Sequence, residues 1–167
     1  MTPLFTRRER PPADVVARLD KDERVVSWAD TADDDLVVAT PLGLWWPDGG
    51  ELRRMQWQHI DRVIWRDDVL TVIEADVVDD LLLVDRAPVA ARLTRPRDLP
   101  PTVRKRVEGN IVQTEVAAVS GGSVRFVGRR VPGQDGIGWW AHLDGTTPDT
   151  EELRSAIRAR IEILSAS

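Results

Sequence analysis

The residues able to do acid–base or metal chemistry are few and far apart in this chain of 167 residues. It has no cysteine, which excludes disulfides, thiolate metal sites and cysteine nucleophiles. Each of its two histidines, His59 and His142, precedes an aspartate by two positions, Asp61 and Asp144 respectively. On a strand such a pair shares one face and could act as an acid–base couple, but an isolated pair of this kind often arises by chance. We interpret both pairs as structural or surface residues.

Acidic pairs are the next candidate metal ligands. Carboxylates are adjacent at Asp67-Asp68, at Asp79-Asp80 and along Asp33–Asp35, but none of these has the spaced oxygens of a calcium-binding loop. We interpret them as solvated turn residues. Glycine-rich phosphate loops, HExxH and GxSxG motifs are also missing from the sequence. We therefore expect no metal and no cofactor, assign no catalytic residue, and favour a non-catalytic role over an enzyme.

The tryptophans are the most informative residues. Seven of the aromatic residues are Trp, two are Phe and none is Tyr, and two pairs are adjacent, Trp45-Trp46 and Trp139-Trp140. Neighbouring side chains on a strand point to opposite faces, so one Trp of each pair must leave the primary core. Either a helix or a second sheet covers that side, or the ring lies at a pocket or an interface, where Trp is favoured. We predict that at least one of the four is substantially exposed and marks a binding surface.

The charge balance bears on the class of partner. Basic residues number 23 and acidic residues 28, which gives a net charge of −5. A negative chain argues against nucleic-acid binding, which relies on a basic surface. We take Arg129 and Arg130 as further candidates for the binding surface and expect the partner to be another protein, with a homo-oligomer left open. The alternative, a small-molecule-binding protein or enzyme with a Trp-lined and Arg-rich pocket, also stays open.

Short apolar segments separated by turn residues predict about ten strands, joined tightly enough to pair antiparallel. The segment Ala29–Asp35 is predicted to be a turn, and short helices are predicted after Pro12 and over Pro101–Gln113. A last helix is predicted with Pro148 at its first position, and its apolar face should dock on the sheet through Leu153, Ala156, Ile157, Ile161 and Leu164. The predicted fold is α+β, a strongly curved antiparallel sheet or barrel with a C-terminal capping helix, in one domain over residues 1–167.

Membrane segments are not expected. The longest aliphatic run, Leu81–Val84, is far shorter than a membrane-spanning helix requires. Residues Met1–Arg8 lack the apolar stretch of a signal peptide. We therefore expect no membrane insertion and a cytoplasmic location.

The stretch LVVATPLGLWWPDGGELRRMQWQHIDRVIWRDDVLTVIE, residues 36–74, resembles the bacterial pleckstrin-homology-like pattern of strands and turns. With the helix at Pro101–Gln113 closing the sheet, the resemblance covers residues 24–113. It implies a pleckstrin-homology-like core in the first two-thirds, with the strands and helix of 114–167 packed on it. Phosphoinositide-binding members carry basic residues around the first hairpin, whereas Asp30–Asp35 here would repel a phosphorylated headgroup.

A second resemblance covers the whole chain. The segments LPPTVRKRV at Leu99–Val107 and GSVRFVGRRVPG at Gly122–Gly133 are similar to those of a group of small actinobacterial proteins. This resemblance implies no activity.

Overall fold

The computed structural model describes residues 9–21 and 23–167, which form one mixed sheet and three α-helices. The expectation about a signal peptide falls on residues 1–8 and lies outside the described residues. The helices are α1 Ala13–Val16, α2 Leu99–Asn110 and α3 Glu151–Ser165, and a 3-10 turn spans Trp57–His59. The strands are β1 Ser27–Thr31, β2 Leu36–Ala39, β3 Gly43–Asp48, β4 Glu51–Gln56, β5 Ile60–Arg66, β6 Val69–Val78, β7 Leu82–Asp85, β8 Val89–Arg95, β9 Ile111–Val119, β10 Gly122–Arg130 and β11 Ile137–Asp144.

The strands follow the order β4-β3-β2-β1-β8-β6-β7-β11-β10-β9, and β5 pairs with β6 beside this path. Pairing is antiparallel throughout the described sheet except between β7 and β11, which meet in parallel where Leu82 lies opposite Ala141. The sheet is open, because β4 lies at one end of the order and β9 at the other. The predicted α+β class, with an antiparallel-rich sheet and a C-terminal helix, is confirmed.

Strand β6 holds the two parts of the sheet together. Its first half pairs with β5 and β8, and its second half, from Ala75 to Val78, pairs with β7. Strand β7 in turn contacts β11. The layer formed by β9, β10 and β11 is thereby joined to the rest of the sheet.

Helix α2 covers the larger apolar core. Leu99, Val103 and Val107 point inward from the helix, at spacings that place them on one helical face. Opposite them lie Trp46 of β3, Trp57 and other buried residues of the first eight strands. The helix ends at Asn110 rather than at the predicted Gln113, because the chain turns to extended backbone at residue 111 and enters β9.

Helix α3 covers a second core on the layer β9–β11. The Oγ1 of Thr150 accepts a 3.1 Å hydrogen bond from the backbone N–H of Leu153, which caps the helix N-terminus. The second core contains Val124, Phe126, Trp139, Ala141, Leu81, Leu82, Ile157 and Leu164, with Leu153 and Ile161 packed against it. Helix α3 docks as predicted, except that Ala156 is exposed and that the helix begins at Glu151, after the Thr150 cap, rather than at Pro148.

The region before β2 departs from the predicted turn at Ala29–Asp35. Strand β1 extends to Thr31, with Ala29 opposite Val37 and Asp30 opposite Leu36. The Nη1 of Arg97 lies 3.1 Å from Oδ2 of Asp30. This ion pair allows an acidic residue to lie on a strand, so the prediction is wrong for the first part of the segment.

The acidic pairs are turn residues, as predicted. Asp67-Asp68 connects β5 to β6, and Asp79-Asp80 follows β6. All four have positive φ values between 51° and 61°. Aspartate tolerates this left-handed backbone better than most residues, which suits it to tight hairpins.

Candidate functional site

Strands β10 and β11 are covered on both faces, and the two faces differ in chemistry. On β10, Phe126 points to α3, whereas its neighbours Arg125 and Val127 point the other way. On β11, Trp139 points to α3, and His142 lies on the opposite face. The strands therefore present an apolar face to α3 and a polar face to the rest of the sheet.

The polar face meets an aspartate that a local irregularity of β5 aims toward it. In the pairing of β5 with β6, Ile60 lies opposite Glu74 and Arg62 lies opposite Ile73, so Asp61 between them has no partner on β6. An extra residue of this kind forms a β-bulge, which redirects its side chain. The bulge brings Asp61 to His142, which follows it by 81 positions in the chain.

Asp61, Asp85 at the end of β7, and His142 form what we name the junction cluster. The Nε2 of His142 lies 3.6 Å from Oδ1 of Asp61, and its Nδ1 lies 3.9 Å from Oδ1 of Asp85. One donor atom from each of the three residues lies within 4.8 Å of the other two. The His142 side chain is 5% exposed and the Asp85 side chain 40% exposed, so the cluster opens to solvent beside Asp85.

Burial and charge set the protonation of the junction cluster. Burial lowers the pKa of His142 to about 4 against the opposing charge of Asp61, so its imidazole is neutral at pH 7. Partial burial, followed by the charge and hydrogen bond of Asp61, raises the pKa of Asp85 to about 6. Two carboxylates and a neutral imidazole are together a donor set for a cation.

Two arginines of β10 flank the junction cluster. The Nη2 of Arg125 lies 3.6 Å from Oδ1 of Asp61, and its Nε lies 3.5 Å from Oδ2 of Asp144. Arg129 is fully buried, and its Nη1 donates a long hydrogen bond of 3.4 Å to Oδ1 of Asn110. The Nε and Nη2 of Arg129 have no hydrogen-bond partner among the described residues.

The prediction that Arg129 belongs to an accessible binding surface is therefore wrong. Alternate residues of β10 face opposite ways, and Arg129 falls on the covered face while Arg130 is exposed. Burial lowers the pKa of Arg129, and the charges of Asp61 and Asp85 oppose that fall. Arg129 thus lies in the interior of the protein, whereas Arg130 is exposed to solvent.

Trp45 and Trp46 lie on opposite faces of β3, as alternation predicts, but neither is exposed. Trp46 packs in the core beneath α2, and Trp45 packs with Val15 of α1 and with Trp28 in a small third core. The Nε1 of Trp45 donates a 3.0 Å hydrogen bond to Oε1 of Glu23. The segment that contains α1 covers the outer face, so this pair does not form the predicted exposed surface.

Trp139 and Trp140 also lie on opposite faces, and here one ring is partly accessible. Trp139 is buried against α3, next to Gly128, where a Cβ atom would come within 2.9 Å of the indole ring. Trp140 is half-buried, and its ring meets His59 edge-on with 6.3 Å between centroids. The prediction that at least one of the four tryptophans is substantially exposed is thus wrong, because Trp45, Trp46 and Trp139 are buried and Trp140 is half-buried.

An open groove of about 710 Å³ lies beside the end of α2. Arg130, Lys105 and Arg106 contribute positive charge to its lining, together with Asp135 and Trp57. The Trp57 side chain is almost wholly buried, and its Nε1 donates to the backbone oxygen of Thr40. The groove therefore offers cationic groups without an aromatic stacking surface, and the Trp-lined pocket stays a prediction.

Strand β9 forms one end of the sheet and presents an unpaired edge. It pairs with β10 on one side, and no other described strand pairs with it. Ile111, Val112 and Val116 are exposed along this strand, and Glu115 is its only charged residue. Sequence reasoning placed Ile111 on the helix before it and did not identify this surface.

Sequence reasoning also missed the junction cluster. It considered His59 with Asp61 and His142 with Asp144, whereas the structure joins His142 to Asp61 and Asp85. Arg125 and His142 alternate with apolar residues on their strands. Such alternation ordinarily indicates a face open to solvent, so the pattern alone does not reveal that this polar face is covered.

Comparison with known proteins gives no relative. The chain matches no known family model, and neither a curated protein nor a solved structure shows significant similarity to it. Within the described residues, the helices are too short or too polar to cross a membrane.

Proposed function

We propose that this chain is a non-catalytic protein-interaction module that binds through the free edge of β9, and that its partner is a second copy of the same chain. The observation that carries the proposal is a strand of nine residues, Ile111–Val119, whose outer backbone groups have no strand partner among the described residues. Unpaired N–H and C=O groups on such an edge are a template for another strand.

The two ends of the sheet support this choice of edge. At the opposite end, β4 carries Glu51, Arg53 and Arg54, and both arginines form ion pairs within the chain. Charged edge residues discourage pairing with another chain. Strand β9 has a single charge, Glu115, and Arg160 of α3 binds it, with 2.7 Å between Nε and Oε2. The edge of β9 therefore lacks the protection that β4 has.

The sequence of β9 also suits pairing with itself. In an antiparallel pair centred on Thr114, Val112 lies opposite Val116 of the second copy, and Gln113 lies opposite Glu115. Aliphatic cross-strand pairs are favourable, and no like charges meet in this register. Val116 is 63% exposed in the single chain, so pairing would remove apolar surface from water.

The test is the oligomeric state of the full chain, measured by sedimentation equilibrium with light scattering. We expect a dimer, and we expect Val116→Lys to weaken it at least about 10-fold, because the charge would be placed against Val112 of the second copy. The matched control is Val84→Lys on β7, where the valine is 51% exposed and β11 and β10 separate its strand from β9. A monomeric wild type, or a dimer equally stable in Val116→Lys, would overturn the proposal.

The pleckstrin-homology-like relation stays part of the proposal. Strands β1–β4 form a consecutive antiparallel run, β8 returns to pair with β1, and α2 then packs on the core that these strands enclose. This order of elements supports the relation. The acidic residues Asp33, Asp34 and Asp35 lie between β1 and β2, which speaks against a phosphorylated lipid as ligand. The proposed cytoplasmic location rests on the sequence.

A further inference from the structure

We propose that Asp61, Asp85 and His142 bind one divalent cation of the first transition row, such as Zn²⁺ or Mn²⁺, at the junction between the layer β9–β11 and the rest of the sheet. This proposal is independent of the β9 edge and departs from the metal-free expectation of the sequence. Composition alone suggested no clustered ligands, but the fold brings together three residues from three different strands.

The separation of the donor atoms fits a shared ion. Nitrogen and oxygen ligands of zinc lie about 2.0–2.2 Å from the metal, which places two tetrahedral ligands about 3.4 Å from each other. The Nε2 of His142 and Oδ1 of Asp61 are 3.6 Å apart. Asp85 supplies a third ligand group: one donor atom of each of the three residues lies within 4.8 Å of the other two, and Oδ1 of Asp85 lies 3.9 Å from Nδ1 of His142.

The unpaired nitrogen of His142 is the observation that points to a ligand. Its Nε2 is buried and has no hydrogen-bond partner among the described residues, while the Asp61 carboxylate lies beside it. Buried polar atoms are nearly always satisfied, so such an atom calls for a partner that is not a protein group.

Charges of both signs surround the site, since Arg125 and the buried Arg129 lie near the carboxylates. Asp61 and Asp85 place two carboxylate oxygens within 4.8 Å of each other, and their mutual repulsion favours a positive charge between them. Arg125 lies 3.6 Å from Asp61 and also contacts Asp144. An ion that displaced Arg125 from Asp61 would therefore leave it the contact with Asp144. The exposed side of Asp85 leaves room for water molecules to complete the coordination.

The donor set narrows the class of ion. One imidazole nitrogen with two carboxylate oxygens suits zinc, manganese or iron, whereas calcium and magnesium prefer oxygen alone. No thiolate is available in the chain to select a softer metal. The site should therefore prefer Zn²⁺ or Mn²⁺ over Ca²⁺ and Mg²⁺.

The test is titration of the full chain, purified with a chelator and then freed of it, with ZnCl₂ in a calorimeter. We expect one equivalent to bind, and we expect His142→Gln and Asp85→Asn each to weaken binding at least about 10-fold. The control is Asp76→Asn on β6, an exposed carboxylate that contacts Arg86 and lies outside the cluster, and it should bind as the wild type does.

Nuclear magnetic resonance of the imidazole rings gives a second readout that does not depend on a variant that might not fold. The chain has two histidines, so Zn²⁺ should shift the ring signals of His142 and leave His59 as an internal reference. Absence of saturable binding, binding of equal strength in Asp85→Asn, or a shift confined to His59 would each overturn the proposal.

Discussion

Strands β10 and β11 are covered on both faces, but in different ways. Toward α3 they present Phe126, Trp139 and other apolar side chains. Toward the rest of the sheet, the same strands present Arg125, Arg129 and His142, and polar atoms of Arg129 and His142 have no hydrogen-bond partner among the described residues. The difference indicates that the α3 face stabilises the fold, whereas the polar face is maintained at a cost in stability.

The largest effect is expected on the apolar face. Ile157 of α3 is 1% exposed, and Ile157→Asp should lower the free energy of unfolding by about 3 kcal/mol or more, because apolar burial is lost and an unpaired carboxylate is buried. Ile163 on the same helix is 60% exposed, so Ile163→Asp is the matched control, with an expected change within about 0.5 kcal/mol. Urea denaturation measures both, and similar losses would contradict the docking of α3.

Substitutions on the two faces of β10 should change the free energy of unfolding differently, and the change on the polar face should be the smaller one. Phe126→Ala should cost about 3 kcal/mol, as large-to-small substitutions in a core do. Arg129→Met should leave the free energy of unfolding unchanged or raise it by about 1 kcal/mol, because an apolar side chain of similar length replaces a buried cation two of whose three nitrogens have no hydrogen-bond partner among the described residues. A loss above about 2 kcal/mol in Arg129→Met would show that this arginine stabilises the fold and would erase the contrast between the faces.

The smallest effect is expected for Trp139 and Trp140, which lie on opposite faces of β11. Trp140 is half-buried beside His59, whereas Trp139 is buried against α3. Acrylamide quenches the fluorescence of accessible tryptophans. The quenching should therefore decrease, relative to the wild type, more in Trp140→Phe than in Trp139→Phe. Equal quenching in both variants would mean that the polar face is as closed to solvent as the apolar face.

Elements governed by local sequence were predicted well. Helix α3 has a capping threonine, an acidic first turn and an apolar stripe, all of which lie within one segment of the chain. The turn residues Asp67-Asp68 were identified because hairpin geometry depends on neighbouring residues. Such features need no knowledge of distant partners.

Features that depend on distant pairing were predicted poorly. The extent of β1 depends on its pairing with β2 and on Arg97, and the end of α2 depends on the start of β9. The junction cluster depends on a bulge in β5 and on a parallel contact between β7 and β11, which no local pattern reveals. The covering of Trp45 by α1 is likewise a tertiary contact.

The position of Leu81 and Leu82 limits how the chain can be divided. Both residues belong to the core beneath α3, although they lie within residues 24–113, the span predicted to form the pleckstrin-homology-like core. A fragment ending at residue 113 would carry these two leucines without Phe126, Trp139 or Ile157 to cover them. Such a fragment would expose an apolar surface and aggregate. A fragment of residues 114–167 alone would lack the pairing of β11 with β7. An engineer seeking to transplant either half would therefore have to move the β6–β7 hairpin with the C-terminal half or replace its leucines.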